Sequence, residues 1–361
     1  MNQQDYLSPN WQAGETRLVC VERWQETHDV TSFRFQGAQP VKFHFKPGQF
    51  ITFLLDIEGE RVARSYTISS SPSRPYSLVV TVKRIPGGRV SNYLVDNLKV
   101  GHSVNVSGPA GAFNLIDIPA NRYLFLSAGS GITPMYSMSR WLTDTQLGSD
   151  IAFVHSAKAK EDLIFHEALL KMAQRHPNMA LLYSLESGES LEARASCEGF
   201  SCFDGRFNLE MLVKAVPDYL DRTVFVCGPE PYMQAVKAML QDAGFDMSRY
   251  HQESFGAPAS SSASQVEDLD EIAGSTPFML QIGDLSTPLT GEQTVLEGIE
   301  AKGLPIIAAC RSGVCGACKC QVLSGETESS SEMTLTPAEV AQGFILACST
   351  RLKSDVTLSL A

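Results

Sequence analysis

No apolar run in this 361-residue chain approaches the roughly 18 residues a membrane-spanning helix needs, so no span is expected. Basic charge is in deficit: 29 Lys and Arg stand against 40 Asp and Glu, a net charge of −11. That balance argues against nucleic acid or an anionic membrane surface as the main partner. The first residues, MNQQDYLSPNWQAGETR, lack a basic stretch followed by an apolar one, so no secretory signal is expected. Histidine is scarce, with seven copies, and no catalytic triad is evident. His155 and His166 read as structural or surface groups. Internal repeats are absent. So are the paired C-x-x-C units or Cys/His pairs that structural zinc prefers.

What is present is a cysteine pattern near the C-terminus. Cys310, Cys315 and Cys318 lie in ACRSGVCGACKC, and Cys348 follows in ILACST. The spacing C-x4-C-x2-C with a distant fourth Cys is the plant-type arrangement for thiolates holding a 2Fe–2S cluster. Gly313 and Gly316 let the backbone wrap closely and aim N–H groups at sulfur. Such a cluster moves single electrons, so a donor and an acceptor are required. Cys20, Cys197, Cys202, Cys227 and Cys320 remain, an odd set that suits a reducing cytoplasm. Cys320 reads as a buried neighbour of the cluster.

A hydrophobic share of 43% supports well-formed cores, and the length suggests two or three domains. Residues 14–118 carry short alternating runs, among them TSFRFQ, QFITFLLDI and YSLVVTVKRI, broken by EGE, SPSRP and PGG. Many short strands at even spacing predict an antiparallel β-barrel. Residues 119–256 change rhythm: YLFLSAG, IAFVHSA, ALLYSL and TVFVCG alternate with helical patterns. That predicts a doubly wound α/β domain with a parallel sheet. Residues 257–275, small, polar and then acidic, read as a flexible linker spanning about 20–25 Å. Residues 276–361 read as a small α+β module.

Three motifs carry chemistry. Arg64-Ser65-Tyr66-Thr67 ends a strand, and Val82-Lys83 followed by Gly88-Arg89-Val90-Ser91 lies on the next β pair. Glycines, Ser91 and a following helix N-terminus would cradle phosphate. Arg64 could pair with phosphate bidentately, and Tyr66 could stack on a flat ring. Gly129-Ser130-Gly131-Ile132-Thr133-Pro134 occupies the first strand-to-helix turn of the α/β domain, where dinucleotide phosphates bind. Thr133 is predicted as the N-cap and Pro134 as the first helical residue, replacing the third glycine of the usual fingerprint. Cys227-Gly228-Pro229 ends another strand facing the same crevice.

RSYT, GGRVS, GSGITP and CGP, in this order, resemble the ferredoxin–NADP reductase superfamily. With the cysteine module they resemble its fused flavin/iron–sulfur reductases. FKPGQF, RSYTISSSPS, VKRIPGGRVSN and YHQESFGA are similar to the group of reductase components of glycine-betaine and carnitine monooxygenases and of hybrid-cluster protein. The resemblance implies FAD on the barrel, with FMN as the alternative, and a β-grasp ferredoxin fold for the last module. Arg64 would meet the flavin phosphates, Tyr66 the isoalloxazine and Thr67 its N5. Gly88, Arg89, Val90 and Ser91 would hold pyrophosphate, with Ser65, Val82 and Lys83 beside them. Gly129, Gly131, Thr133 and Pro134 would line the nicotinamide nucleotide, with Gly228 and Pro229. Cys227 and Phe255 would sit near the hydride-transfer point.

The expected function is electron transfer from NADH through FAD and the cluster to a terminal oxygenase or to hybrid-cluster protein. A redox-sensing flavoprotein is the alternative of another class. For the nucleotide, Glu161 or Asp162 could accept from a ribose hydroxyl, favouring NADH; Lys158 and Lys160 could meet the 2′-phosphate of NADPH. From Thr276 onward five basic residues stand against nine acidic ones, an acidic face for a basic partner patch. The protein is expected to be monomeric.

Overall fold

Alternating apolar and polar residues give the N-terminal third its strands. β1 (Gly14–Thr27), β2 (Val30–Gly37), β3 (Phe50–Ile57), β4 (Glu60–Thr67), β5 (Leu78–Lys83) and β6 (Ser103–Ala110) form one sheet, in the order β4-β3-β6-β1-β2-β5. β1 pairs antiparallel with β2 and β6, and β2 with β5. An antiparallel bridge between Ile68, just past β4, and Val80 of β5 joins the two ends of that order and closes the barrel. Helix α1 (Arg89–Asn97) follows β5. Arg23 of β1 donates to Leu98 O at 3.0 Å and Val95 O at 3.2 Å, capping the carbonyl end of α1 with a cation. This fixes the helix so that Gly88 to Ser91 form its opposite, amide-rich end.

The computed structural model describes residues 9–11, 14–146, 148–187, 200–255, 277–304, 306, 313, 318–332 and 335–360. The linker expected at 257–275 lies outside the described residues, as do Cys310, Cys315 and Gly316. Two compact units emerge: Met1–Ile51 with Tyr66–Phe255, and Thr52–Ser65 with Gly256–Ala361.

In the first unit, apolar runs bounded by turns give buried parallel strands: β7 (Arg122–Ala128), β8 (Asp150–Ala157), β9 (Met179–Leu185), β10 (Ser201–Asp204), β11 (Thr223–Cys227) and β12 (Tyr250–Glu253). Their order is β10-β9-β8-β7-β11-β12. Helices α2 (Ile132–Thr145), α3 (His166–Arg175), α4 (Leu209–Ala215) and α5 (Glu230–Asp242) alternate with them. Phe125, Phe153 and Phe225 pack with α2 and α3 on one sheet face; Leu124, Leu126 and Val224 pack with α4 and α5 on the other. Each such side chain contributes about 1.5–3 kcal/mol on burial. At the opposite end of the sheet from the site, Arg222 is buried. It donates to Asp218, Asp150 and Tyr123 O, so its charge is fully engaged.

In the second unit, β13 (Phe278–Ile282), β14 (Leu285–Leu289), β15 (Lys319–Ser324), β17 (Phe344–Leu346) and β19 (Val356–Leu360) form a mixed sheet, ordered β14-β13-β19-β15-β17. β16 (Thr327–Ser329) and β18 (Thr350–Leu352) pair separately. Helices α6 (Val295–Ala301) and α7 (Pro337–Ala341) both begin with capping boxes, Thr294 with Glu297 and Thr336 with Glu339. The expected α+β module is present.

Candidate redox site

The cluster end is built by two strands. β15 begins directly after Cys318, and Cys348 sits in the tight turn that ends β17. Register pairs Lys319 with Leu346, and Ala347 N donates to Cys318 O at 3.0 Å. The two Sγ atoms therefore converge to 3.2 Å, beyond the ~2.05 Å of a disulfide. Gly313 N donates to Cys348 Sγ at 3.1 Å, and Cys348 N to Cys318 Sγ at 3.5 Å. Gly313 holds a φ of +72°, and a Cβ there would lie 2.6 Å from Ser349 Oγ. Two serines not anticipated from the sequence pin this loop: Ser331 Oγ donates to Gly313 O at 2.7 Å and Ser349 Oγ to Ser331 O at 3.0 Å. Converging sulfurs with amides aimed at them suit thiolates bound to iron. Cys320 is fully buried, and burial beside Cys318 pushes its thiol up to about 12, so it stays protonated.

The nucleotide end lies where β7 and β11 are neighbours while the chain winds away on either side, the switch point of an open parallel sheet. Gly129 has a φ of +52° and opens a single 3₁₀ turn to Gly131. A Cβ on Gly131 would lie 2.2 Å from Cys227 O and 2.6 Å from Gly228 N. The two loops therefore touch backbone to backbone. Helix α2 starts at Ile132 with Gly131 as N-cap, so Thr133 is not the cap and Pro134 is the third helical residue. The preceding 3₁₀ turn moves the start forward, and Thr133 Oγ1 donates back to Ser130 O at 3.1 Å. Pro229 is the N-cap of α5.

A row of side chains crosses the sheet just below these loops: Glu253, Cys227, Ser127, His155 and Tyr183 share one register. Cys227 is fully buried; burial first, then the nearby Glu253, push its thiol well above the usual range. It is a thiol wall, not a nucleophile. His155 Nδ1 meets Ser127 Oγ at 2.9 Å, and burial lowers its pKa to about 3. It is structural, as expected. The native state leaves it neutral while the unfolded chain protonates it near 6.5. Unfolding therefore takes up a proton between those values, and stability falls as pH drops below 6.5 toward 3. In His155→Gln, urea denaturation at pH 7.5 and pH 5 is expected to show a smaller loss than wild type; an equal loss would place the acid sensitivity elsewhere.

The flavin end lies on the barrel. Arg64, Ser65 and Tyr66 are half-buried on β4, and Thr67 is 4% exposed with Oγ1 lacking any hydrogen-bond partner among the described residues. Ser65 Oγ meets Thr52 Oγ1 at 2.9 Å. Val82 is fully buried, so its side chain supports the barrel and does not face a ligand. Lys83 pairs with Asp29 at 3.2 Å. Gly88 caps α1 without a side-chain bond, and a Cβ there would meet Ser91 Oγ at 2.7 Å. An uncapped helix N-terminus behind glycines fits a phosphate, and the buried Thr67 hydroxyl fits a polar ring edge. Arg89 is exposed, Val90 and Ser91 buried, and Phe255 exposed at the end of the first unit. Asp162 accepts from Ala159 N at 3.1 Å and lies 3.6 Å from His28, so its carboxylate is held in the loop; Glu161, Lys158 and Lys160 include no such lock and are largely solvent-facing.

Fold and site together define an oxidoreductase with flavin, nicotinamide and iron–sulfur modules. Family models match an oxidoreductase FAD-binding domain over residues 17–115, an oxidoreductase NAD-binding domain over 125–238 and a 2Fe-2S iron-sulfur cluster binding domain over 284–353. The chain belongs to the fused flavin/iron–sulfur reductases of the ferredoxin–NADP reductase superfamily, electron-transfer enzymes using FAD, NADH and a 2Fe–2S cluster. It is 45% identical to the glycine betaine monooxygenase reductase subunit of Chromohalobacter salexigens, over 98% of this chain and 99% of that one. It is 33% identical to the NADH oxidoreductase HCR of Escherichia coli, over 88% and 89%. The solved phthalate dioxygenase reductase, 25% identical, superposes with a TM-score of 0.61 over 96% of this chain and 98% of that one.

Proposed function

We propose that this reductase passes electrons from NADH to a Rieske-type terminal oxygenase acting on glycine betaine or a close quaternary amine. The observation that supports this acceptor is the 45% identity, over nearly the whole length, to relatives named for glycine betaine monooxygenase. In this reading Gly129, Gly131, Thr133, Pro134, Gly228 and Pro229 position the nicotinamide nucleotide against the Cys227 wall. Arg64, Ser65, Lys83 and the amide end of α1, from Gly88 through Ser91, hold flavin phosphates. Tyr66 stacks on the ring, Thr67 hydrogen-bonds its edge, and Phe255 covers it. Bound flavin turns a two-electron hydride into the single-electron steps a cluster can accept. The chain's own task is positioning and exclusion of water. Cys310, Cys315, Cys318 and Cys348 are the cluster ligands. The protein works as a monomer in the cytoplasm, where its thiols stay reduced.

The test combines the purified reductase with a glycine betaine oxygenase component and, separately, with hybrid-cluster protein. NADH oxidation that rises several-fold on adding glycine betaine, only with the oxygenase, supports the reading. Rapid electron delivery to hybrid-cluster protein alone would replace it with the acceptor used by the relative HCR.

A further inference from the structure

Hydride chemistry leaves a proton behind. NADH gives up two electrons and one hydrogen, but an iron–sulfur cluster accepts only electrons. Over a turnover, NADH and two successive oxidised clusters become NAD⁺, two reduced clusters and one proton. With flavin bound at the Tyr66–Thr67 edge, that proton would start beside a buried surface and would have to reach water.

The barrel holds a continuous hydroxyl chain next to the proposed flavin edge. Ser69 Oγ meets Thr81 Oγ1 at 2.8 Å, Thr81 Oγ1 meets Ser32 Oγ at 2.8 Å, and Ser32 Oγ donates to Glu26 Oε1 at 2.7 Å. Ser69, Thr81 and Ser32 are all buried, whereas Glu26 is partly exposed and its Oε1 is also held by Trp24 Nε1 at 2.7 Å. The direction of the chain follows from counting protons. Each hydroxyl has one hydrogen. Because Ser32 spends its own on the Glu26 carboxylate, Thr81 must donate to Ser32 and Ser69 to Thr81. Every donor then points outward, and the inner end, the Ser69 oxygen, is left as an acceptor. Ser69 can also turn its hydrogen to Val79 O at 3.1 Å, which resets the chain.

The inner end faces the right place. Thr67 lies two residues before Ser69, on the same side of the chain, and the Ile68–Val80 bridge sets it beside Thr81. Its buried Oγ1 has no partner among the described residues. Burial alone would favour apolar side chains here, since hydroxyls carry a desolvation cost. We propose that Ser69, Thr81 and Ser32 relay the proton from the flavin edge at Thr67 to Glu26, which releases it to solvent. This rests on the placement of Thr67 beside the flavin.

The experiment uses the full-length, flavin- and cluster-loaded protein in weak buffer with a pH-indicator dye. The protein is first reduced with NADH and then mixed by stopped flow with excess ferricyanide, which takes the electrons one at a time; flavin reoxidation and proton release are followed in the same sample. In Thr81→Val and Ser32→Ala, proton release is expected to slow by roughly 100-fold or more relative to flavin reoxidation, the usual worth of a placed proton-transfer group. Thr81→Ser, which keeps the hydroxyl, should restore it. Independently of turnover, infrared difference spectra on photoreduction without NADH should show a Glu26 carboxyl band that vanishes in Glu26→Gln. Proton release that keeps pace with flavin reoxidation in both relay variants would overturn the relay and leave a packing role. Thr67→Val separates the two claims. An unchanged flavin spectrum and bleaching rate there would overturn the flavin placement, and with it the relay. A perturbed spectrum alongside normal release in the Thr81 and Ser32 variants would keep the placement and remove only the relay.

Discussion

Cys348→Ser is expected to abolish electron exit while leaving flavin reduction by NADH intact. Its sulfur lies 3.2 Å from that of Cys318 and accepts the Gly313 amide, so its removal takes away both a proposed cluster ligand and the acceptor of that amide. Serine offers a harder, poorly ionised oxygen where a thiolate is needed. Cytochrome c reduction should fall by roughly 100-fold or more, the scale expected when a redox route loses its positioned group. Bleaching of the flavin by NADH should persist, because Tyr66, Thr67, Gly88 to Ser91 and the nucleotide loops belong to the first compact unit and Cys348 to the second. Cytochrome c reduction at the wild-type rate would mean that electrons leave directly from the flavin.

Gly131→Ala should produce the second-largest effect, on the opposite half-reaction. The added methyl group would sit 2.2 Å from the Cys227 carbonyl oxygen, a contact no rotamer can relieve because backbone is on both sides. The loops after β7 and β11 must separate, and with them the wall against which nicotinamide is placed. A shift of about 1 Å at a reacting centre costs about 100-fold in rate. The rate of flavin bleaching at saturating NADH should fall on that scale, with FAD content unchanged. Gly129→Ala is the contrast. There a Cβ meets nothing within 4 Å, and only the positive φ of 52° opposes it. That strain is worth about 1–2 kcal/mol, so stability should drop while bleaching stays near wild type. Equal kinetic losses in both variants would show that the loop's dihedral, and not its approach to Cys227, controls the site.

What could be read from the residues alone was mostly local. Strands such as Leu78–Lys83 and Arg122–Ala128 announce themselves by alternation or by an unbroken apolar run. The spacing of Cys318 and Cys348 signalled a shared centre because cluster geometry leaves few alternatives. The exact helix start at Ile132 was not legible, since a 3₁₀ turn before it depends on how Gly131 packs on Cys227, a residue from another strand. Val82 was drawn into the site by its neighbours in sequence, but alternation turns its side chain into the barrel. The Ser331 and Ser349 pins and the chain from Ser69 to Glu26 were invisible for one reason. Bonded partners in them lie far apart in sequence, 49 residues for Ser32 and Thr81 and 18 for Ser331 and Ser349, and only strand pairing brings them together: β2 with β5 for the chain and β16 with β18 beside the pins.

The central claim is a single route from NADH through flavin to the cluster. Anaerobic titration with NADH, followed by visible absorbance and low-temperature electron paramagnetic resonance, tests it most directly. The account predicts flavin bleaching together with the signal of a reduced 2Fe–2S centre, and loss of that signal alone in Cys348→Ser. Full flavin bleaching with no paramagnetic cluster signal in the wild-type protein would contradict it.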